Sequence, residues 1–126
     1  MSITMPDMIN HPPHYAMVPP GFSGECIEYT RHMGFAHGNA FKYLFRAGSK
    51  GDVAEDLAKC AWYLRDALDH GMYAPVYGTP GIDPNITHKS MAGHLILTGK
   101  LREALTGIEL IGDRINEHRG LRAETP

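Results

Sequence analysis

The segment 52–70 carries the clearest helical pattern in the chain and sets the class of fold. Its apolar residues recur every three or four positions: Val53, Leu57, Cys60, Ala61, Leu64, Ala67 and Leu68. An α-helix has about 3.6 residues per turn, so this spacing places them on one side of a helix. No stretch of useful length alternates apolar and polar residues as a half-buried strand would. The sequence therefore predicts an all-α protein.

Three further helices are predicted around this segment. Residues 24–33 predict a short first helix, residues 38–47 a second one that ends at Gly48, and residues 90–118 a long C-terminal helix. The apolar residues of the long helix step by four and three positions: Leu97, Leu101, Ala104, Ile108, Ile111 and Ile115. This seam fits either packing on the chain's own core or self-association. The predicted fold is a small bundle of three short helices plus a long C-terminal helix.

Two other segments lack helical periodicity. Residues 1–23 are rich in Pro, Met and His and predict an extended N-terminal arm before a helical core over 24–70. Residues 71–89 contain three Pro and three Gly and predict a linker or lid before the C-terminal helix. The chain of 126 residues is long enough for one domain.

Composition argues against several classes of partner. The chain has 12 basic and 14 acidic residues and a net charge of −2, so a general affinity for nucleic acid or for anionic membranes is not expected. No stretch approaches the roughly 20 apolar residues of a membrane span. The start of the chain lacks a basic segment followed by a hydrophobic run. We expect a cytoplasmic protein whose cysteines, Cys26 and Cys60, are reduced core residues.

The basic residues are concentrated in one short stretch. Asn39, Lys42 and Arg46 are spaced i, i+3, i+7 and project from one face of the second predicted helix. Lys50 lies in the Gly-rich turn that follows, next to the N-terminus of a helix, where an anion is favoured. The pattern predicts a phosphate-binding corner. The alternative is an ordinary charged face exposed to solvent.

Acidic residues stand close to these cations in the sequence. Glu25 and Glu28 lie one turn apart on the first predicted helix and, with Asp56, could hold Mg²⁺, which prefers carboxylate oxygens. A simpler explanation is that acidic residues near helix N-termini stabilise the helices themselves, with Asp52 and Glu55 as a capping box.

Two side chains on the polar side of segment 52–70, Lys59 and Tyr63, could also face a ligand, with Trp62 beside them. The rings of Tyr63 and Trp62 could stack on a nucleotide base or close the core. The eight histidines show neither His-Glu-x-x-His spacing nor a Cys-x-x-Cys partner motif, so a structural zinc site is not expected.

Roughly half of the chain resembles a known family. The stretches "HPPHY", "GECIEY" and "HGNAFKYLFRAGSKGDVAEDLAKCAWYL" are similar, in order and spacing, to the signature of a small tailed-phage family over about residues 11–68. Its members are described as proteins of unknown function or as phage nucleotide kinases that phosphorylate deoxynucleoside monophosphates. The resemblance implies a phage-encoded protein of the host cytoplasm that uses Mg²⁺ and ATP. The chain departs from common phosphoryl-transfer enzymes because it has no Gly-x-x-x-x-Gly-Lys-[Ser/Thr] loop.

The resemblance places several of these residues at the family's signature positions, but their roles are our own inference from chemistry. Those we expect to bind substrate are His14, Tyr15, Asn39, Lys42, Tyr43, Arg46, Lys50, Lys59 and Tyr63. Phosphoryl transfer depends on positioning and on neutralised charge, so we infer catalytic roles for Lys42, Arg46 and Asp56. We infer that Glu25, Glu28 and Asp56 hold the magnesium ion.

Two other functions fit the same residues. The acidic sets Glu25-x-x-Glu28 and Asp52-x-x-Glu55-Asp56 look similar to those of all-α, magnesium-dependent dNTP pyrophosphohydrolases. Alternatively, the protein binds and sequesters a signalling nucleotide without turnover. In each case the partner is a nucleotide rather than nucleic acid or a membrane, and we expect a homo-oligomer formed through the C-terminal helix.

Overall fold

The computed structural model describes residues 17–120, and this range contains five α-helices. They are α1 (Cys26–Thr30), α2 (Phe35–Arg46), α3 (Val53–His70), α4 (His88–Leu97) and α5 (Leu101–His118). Within the same range there is no strand, and a single antiparallel bridge joins Phe22 to Ile82. The predicted all-α class and the helical bundle are confirmed.

A cluster of aromatic rings forms one part of the core. Its members are Phe22, Tyr29, Phe41 and Phe45, all buried. Phe41 and Phe45 lie one turn apart on α2 and therefore face the same way. The Tyr29 hydroxyl donates to the carbonyl oxygen of Gly81 at 2.9 Å and accepts from the Ser23 amide at 3.0 Å. The polar end of this buried ring is thus paired, and it ties α1 to two non-helical segments.

Helix α3 occupies the centre of the bundle and packs against α2 on one side and α5 on the other. Five of the seven apolar residues that the periodicity predicts are buried, and Val53 and Leu68 are partly buried. The five are Leu57, Cys60, Ala61, Leu64 and Ala67. Asp52 caps the helix, because its side chain accepts hydrogen bonds from the amides of Ala54 and Glu55. Cys26 and Cys60 are free and buried, as predicted, and burial raises the pKa of the Cys26 thiol to about 12.

The predicted single helix over 90–118 is instead two helices, α4 and α5. The chain turns at Gly99, whose φ of +79° is a left-handed conformation that L side chains rarely adopt. The Lys100 amide donates to the carbonyl of Leu95 at 2.8 Å and closes the end of α4. A Cβ at Gly99 would lie 2.9 Å from the backbone nitrogen of Pro75, so the turn also needs the small residue for space.

The predicted linker 71–89 is non-helical only as far as residue 87, because α4 begins at His88, and hydrogen bonds hold it at two points. The Val76 amide donates to the carbonyl of Leu97 at 2.9 Å. Further along, the Ser23 amide donates to Gly81 and the Asp83 amide donates to Gly21. These bonds attach the segment to α4 and to residues that precede α1.

Boundaries at the start of the bundle differ from those predicted. Helix α1 is shorter than the predicted 24–33, because the chain turns after Thr30. Helix α2 begins at Phe35 rather than at residue 38, with Gly34 as its N-cap in an extended conformation. Between residues 17 and 120, no helix is both long enough and apolar enough to cross a membrane.

Candidate functional site

Helix α2 separates an apolar face from a polar one. Its buried residues are Ala36, His37, Ala40, Phe41, Leu44 and Phe45. Asn39, Lys42, Tyr43 and Arg46 lie on the other side and are half-buried. The i, i+3, i+7 spacing of Asn39, Lys42 and Arg46 thus places them on one outer face of the helix, as predicted.

Three cations surround the ring of Tyr43. The Lys42 Nζ lies 4.5 Å from the ring centroid, and the Arg46 guanidinium carbon and the Lys59 Nζ each lie 5.4 Å from it. These separations fall within the range of attractive cation–π contacts. Tyr43 also stacks on Tyr63 of α3, with centroids 5.9 Å apart and planes only 9° from parallel. The two helices therefore bring five of the predicted binding residues into one group: Lys42, Tyr43, Arg46, Lys59 and Tyr63.

Further aromatic rings extend this group into solvent. Phe35 meets Tyr63 edge to face at 6.1 Å, and Trp62 does so at 5.0 Å. Phe35 is 80% exposed and Trp62 is 58% exposed. Trp62 therefore does not close the core, which was one of the two interpretations of its position. We call the whole group the aromatic–cationic surface: Phe35, Lys42, Tyr43, Arg46, Lys59, Trp62 and Tyr63.

Arg46 and Asp56 form an ion pair that links α2 to α3. The Arg46 Nε lies 3.2 and 3.3 Å from the two carboxylate oxygens, and Nη2 lies 3.2 Å from Oδ1. Asp56 is only 2% exposed, whereas the Arg46 side chain is 23% exposed. Asp56 is thus a structural partner that holds Arg46 in position against the Tyr43 ring, and its carboxylate does not face solvent as an open metal ligand would.

Lys50 is separate from this group. It lies in the exposed turn between α2 and α3, and within residues 17–120 it is not among the cations that contact the Tyr43 ring. Lys59 stands in its place as the third cation and also pairs with Glu55 at 3.0 Å. The predicted clamp of Lys42, Arg46 and Lys50 is therefore assembled only in part.

A shallow pocket of about 260 Å³ adjoins the aromatic–cationic surface. It is lined by Thr30, Met33, Gly34, Phe35, Gly38, Asn39 and Lys42. The Asn39 side-chain amide donates to the carbonyl of Phe35 at 2.8 Å, which leaves its oxygen as an acceptor next to the pocket. A ligand group that enters here would contact Lys42 and Phe35 together.

The predicted magnesium ligands are not assembled. Glu28 accepts a hydrogen bond from the Glu25 amide at 2.7 Å, as in a capping box at the start of α1. Among the described residues, no three His, Cys, Asp or Glu side chains are placed so that they could hold a metal ion. Within residues 17–120, Glu25, Glu28 and Asp56 are thus not grouped, and the magnesium site stays a prediction. His14 and Tyr15 lie outside the described residues.

Lys89 was not among the predicted site residues. Its Nζ donates to the carbonyl of Ala47, the C-cap of α2, at 2.8 Å. Burial lowers the pKa of this amine to about 8, although the charge of Asp56 acts in the opposite direction. Lys89 thus supports the end of α2 that carries Arg46. Only the fold brings it there, because Lys89 is 42 residues away from Ala47 along the chain.

Phe35 was also missed, although a signal for it exists in the sequence. The prediction started α2 at residue 38 and so left Phe35 outside the helix. A start at Gly34 places Phe35, Asn39, Lys42 and Arg46 at spacings of four, three and four, which is one helix face.

Comparison with known proteins bears on the same part of the chain. Residues 9–65 match a family of unknown function. The matching model is described as "Protein of unknown function (DUF3310)" and covers slightly less than half of the chain. No curated protein and no solved structure matches. The matched range includes α1, α2, most of α3 and every site residue inferred from the sequence. Its description names no activity, so the nucleotide kinase function implied by the resemblance finds no support here and stays a prediction.

Proposed function

We propose that the aromatic–cationic surface binds a nucleotide. The observation that carries the proposal is the group of three cations within 5.4 Å of the Tyr43 centroid, next to two exposed aromatic rings. A nucleotide combines a planar base with anionic phosphate, and this surface offers a partner for each part.

The exposed rings suit the base. Stacking of a base on an aromatic side chain contributes about 1–3 kcal/mol and tolerates any base, because every base has a π-face. Phe35 and Trp62 have most of their surface open to solvent, while Tyr43 and Tyr63 support them from below through ring contacts.

The cations suit the phosphate. Within residues 17–120, Lys42 forms no ion pair with a carboxylate, so binding a phosphate there breaks no existing salt bridge. Arg46 is oriented by Asp56, and Lys59 is held near by Glu55. Cations fixed in this way lose little freedom on binding an anion, which favours affinity.

Phosphoryl transfer from ATP to a deoxynucleoside monophosphate is the reaction that the resemblance implies for this surface. The protein would be incubated with Mg²⁺, ATP and each dNMP, and separately with each dNTP, and the products separated by chromatography. New diphosphates support the kinase, and monophosphate with pyrophosphate supports the hydrolase. Nucleotide that is bound but unchanged supports a sequestering protein.

Binding itself is tested by calorimetry with point variants. We expect Lys42→Ala to weaken binding of a nucleotide about tenfold and to leave binding of the nucleoside unchanged, since only the phosphate is affected. Trp62→Ala or Phe35→Ala should weaken both ligands by an amount that reflects lost stacking. Arg65→Ala is the matched control, because Arg65 lies on α3 and pairs with Glu109 on α5. Nucleotide affinity that is unchanged in Lys42→Ala and Trp62→Ala would overturn the proposal.

A further inference from the structure

A second surface, on α4 and α5, is apolar and separate from the aromatic–cationic surface. A groove of about 670 Å³ runs between the two helices, and its apolar lining includes Met91, Leu95, Leu110, Ile111 and Ile115. Leu110 is 58% exposed and Met91 is 41% exposed. Large apolar side chains grouped on a surface commonly mark an interaction site.

The outer edge of this groove is a regular stripe along α5. Glu103, Gly107, Leu110 and Arg114 are spaced by four, three and four residues and therefore share one face of the helix. Gly107 makes a notch in that face, because a Cβ at this position would meet no atom within 4 Å. The stripe thus contains an apolar knob, an open notch and one charge of each sign.

The order of these four residues is self-complementary. If two α5 helices lie antiparallel with a two-fold axis midway between Ile108 and Glu109, Leu110 of each copy is opposite Gly107 of the other. The same register places Glu103 opposite Arg114, and it does so twice because the contact is symmetric. Knob into notch with flanking opposite charges is how paired helices fix their register.

We infer that the occupant of this face is a second copy of the chain, bound through antiparallel α5 helices. The partner helix covers Leu110 and lies along the edge of the groove formed with α4. The inference assigns the predicted self-association to particular residues of α5. The alternative predicted for this helix, packing on the chain's own core, accounts for Leu101, Ala104 and Ile108, which are buried within one chain. The two roles use different faces of α5.

Sedimentation equilibrium of the full chain over a wide range of concentration tests the inference. We expect a dimer, and we expect Glu103→Arg and Arg114→Glu each to raise its dissociation constant about tenfold or more, because each puts like charges together twice. The double variant carrying both substitutions restores opposite charges in the same register and should recover most of the affinity.

Arg102→Glu is the matched control, because it makes the same charge change as Arg114→Glu at an exposed α5 position outside the stripe. It should leave the dissociation constant unchanged. Leu110→Asp removes the knob and should give a monomer with an unchanged helical circular dichroism spectrum, since Leu110 is mostly exposed. A monomeric natural chain would overturn the inference. So would a dimer that the double variant weakens as much as both single variants combined.

Discussion

The α2–α3 pair and the α4–α5 pair are both packed helices, but they place their apolar and charged residues differently. In the first pair the large apolar side chains of α2 other than Phe35 are enclosed, and a buried carboxylate is paired with an arginine. In the second pair, α5 buries its first half, whereas Leu110, near its middle, is exposed and Ile111 and Ile115 are only partly buried. The exposed rings of the first pair, Phe35 and Trp62, stand beside cations, whereas the exposed side chains of the second pair line a mainly apolar groove. The difference indicates that the α2–α3 pair mainly stabilises the fold, whereas the α4–α5 pair also offers a surface for association.

The largest expected effect is the difference in unfolding free energy lost when Phe41 or Leu110 is replaced by alanine. Phe41→Ala should lower the free energy of unfolding by about 4 kcal/mol, because it removes a fully buried ring from the aromatic cluster. Leu110→Ala should change it by less than about 0.5 kcal/mol in dilute, monomeric protein. Urea denaturation measures both, and similar losses at the two positions would contradict the comparison.

A second prediction concerns the buried ion pair. Asp56→Ala should lower the free energy of unfolding by about 3 kcal/mol, because it leaves the partly buried Arg46 guanidinium without this partner. Glu55→Ala breaks only an exposed i, i+4 pair with Lys59 and should cost about 0.5 kcal/mol or less. Equal denaturation midpoints for the two variants would show that the buried pair does not anchor α2 to α3.

Two glycines of the second pair should respond to alanine in opposite directions. Gly99→Ala should destabilise the protein by about 2 kcal/mol, because it forces a left-handed residue against Pro75. Gly112→Ala should stabilise it by about 0.5–1 kcal/mol, since a Cβ there meets open space within a helix. Thermal unfolding measures both changes. A loss of stability in Gly112→Ala would show that α5 depends on this glycine for a reason other than backbone conformation.

The smallest expected effect is a pH dependence of stability that arises from His37, which joins α2 to α4. His37 of α2 is buried, and its Nε2–H donates to the carbonyl of Ile96 on α4 at 2.7 Å. Burial lowers the pKa of His37, so below the ordinary histidine pKa the unfolded chain binds a proton that the folded chain excludes. Stability is therefore full above that pKa and declines as the pH falls below it.

Denaturation series at pH 7.5, 6.5 and 5.5 (roughly spanning the ordinary histidine pKa) would measure this decline. His37→Gln keeps a donor for the Ile96 carbonyl but cannot be protonated, so the decline should be shallower in that variant. An identical slope in the natural chain and in His37→Gln would contradict the assignment.

Much of the fold was predictable because helical periodicity is a local property. The pattern in 52–70 predicted α3 and its buried face, and Asp52 was correctly interpreted as its N-cap. The break at Gly99 was not predicted, because glycine is tolerated within a helix and only the approach of Pro75 shows why the chain turns there. Sequence spacing alone could not separate one long helix from two.

The candidate site was predictable to a smaller extent. Helical spacing placed Asn39, Lys42 and Arg46 on one face, but it could not show that Arg46 is paired with Asp56. The contribution of Lys89 and the exposure of Trp62 depend on how distant segments pack, which local patterns do not encode. Lys50 was inferred from its turn beside a helix N-terminus, and Glu25 and Glu28 from their one-turn spacing. Neither observation reveals the distance between side chains on different helices.

The two anchoring points of the segment 71–87 have a practical consequence. Val76 is bonded to Leu97, and Gly81 and Asp83 are bonded to residues near Phe22, so the stretch between them is a short exposed bend closed at its base. Tyr77, at 80% exposure, stands in that bend. A peptide tag or fluorophore inserted beside Tyr77 would extend outward from a closed base.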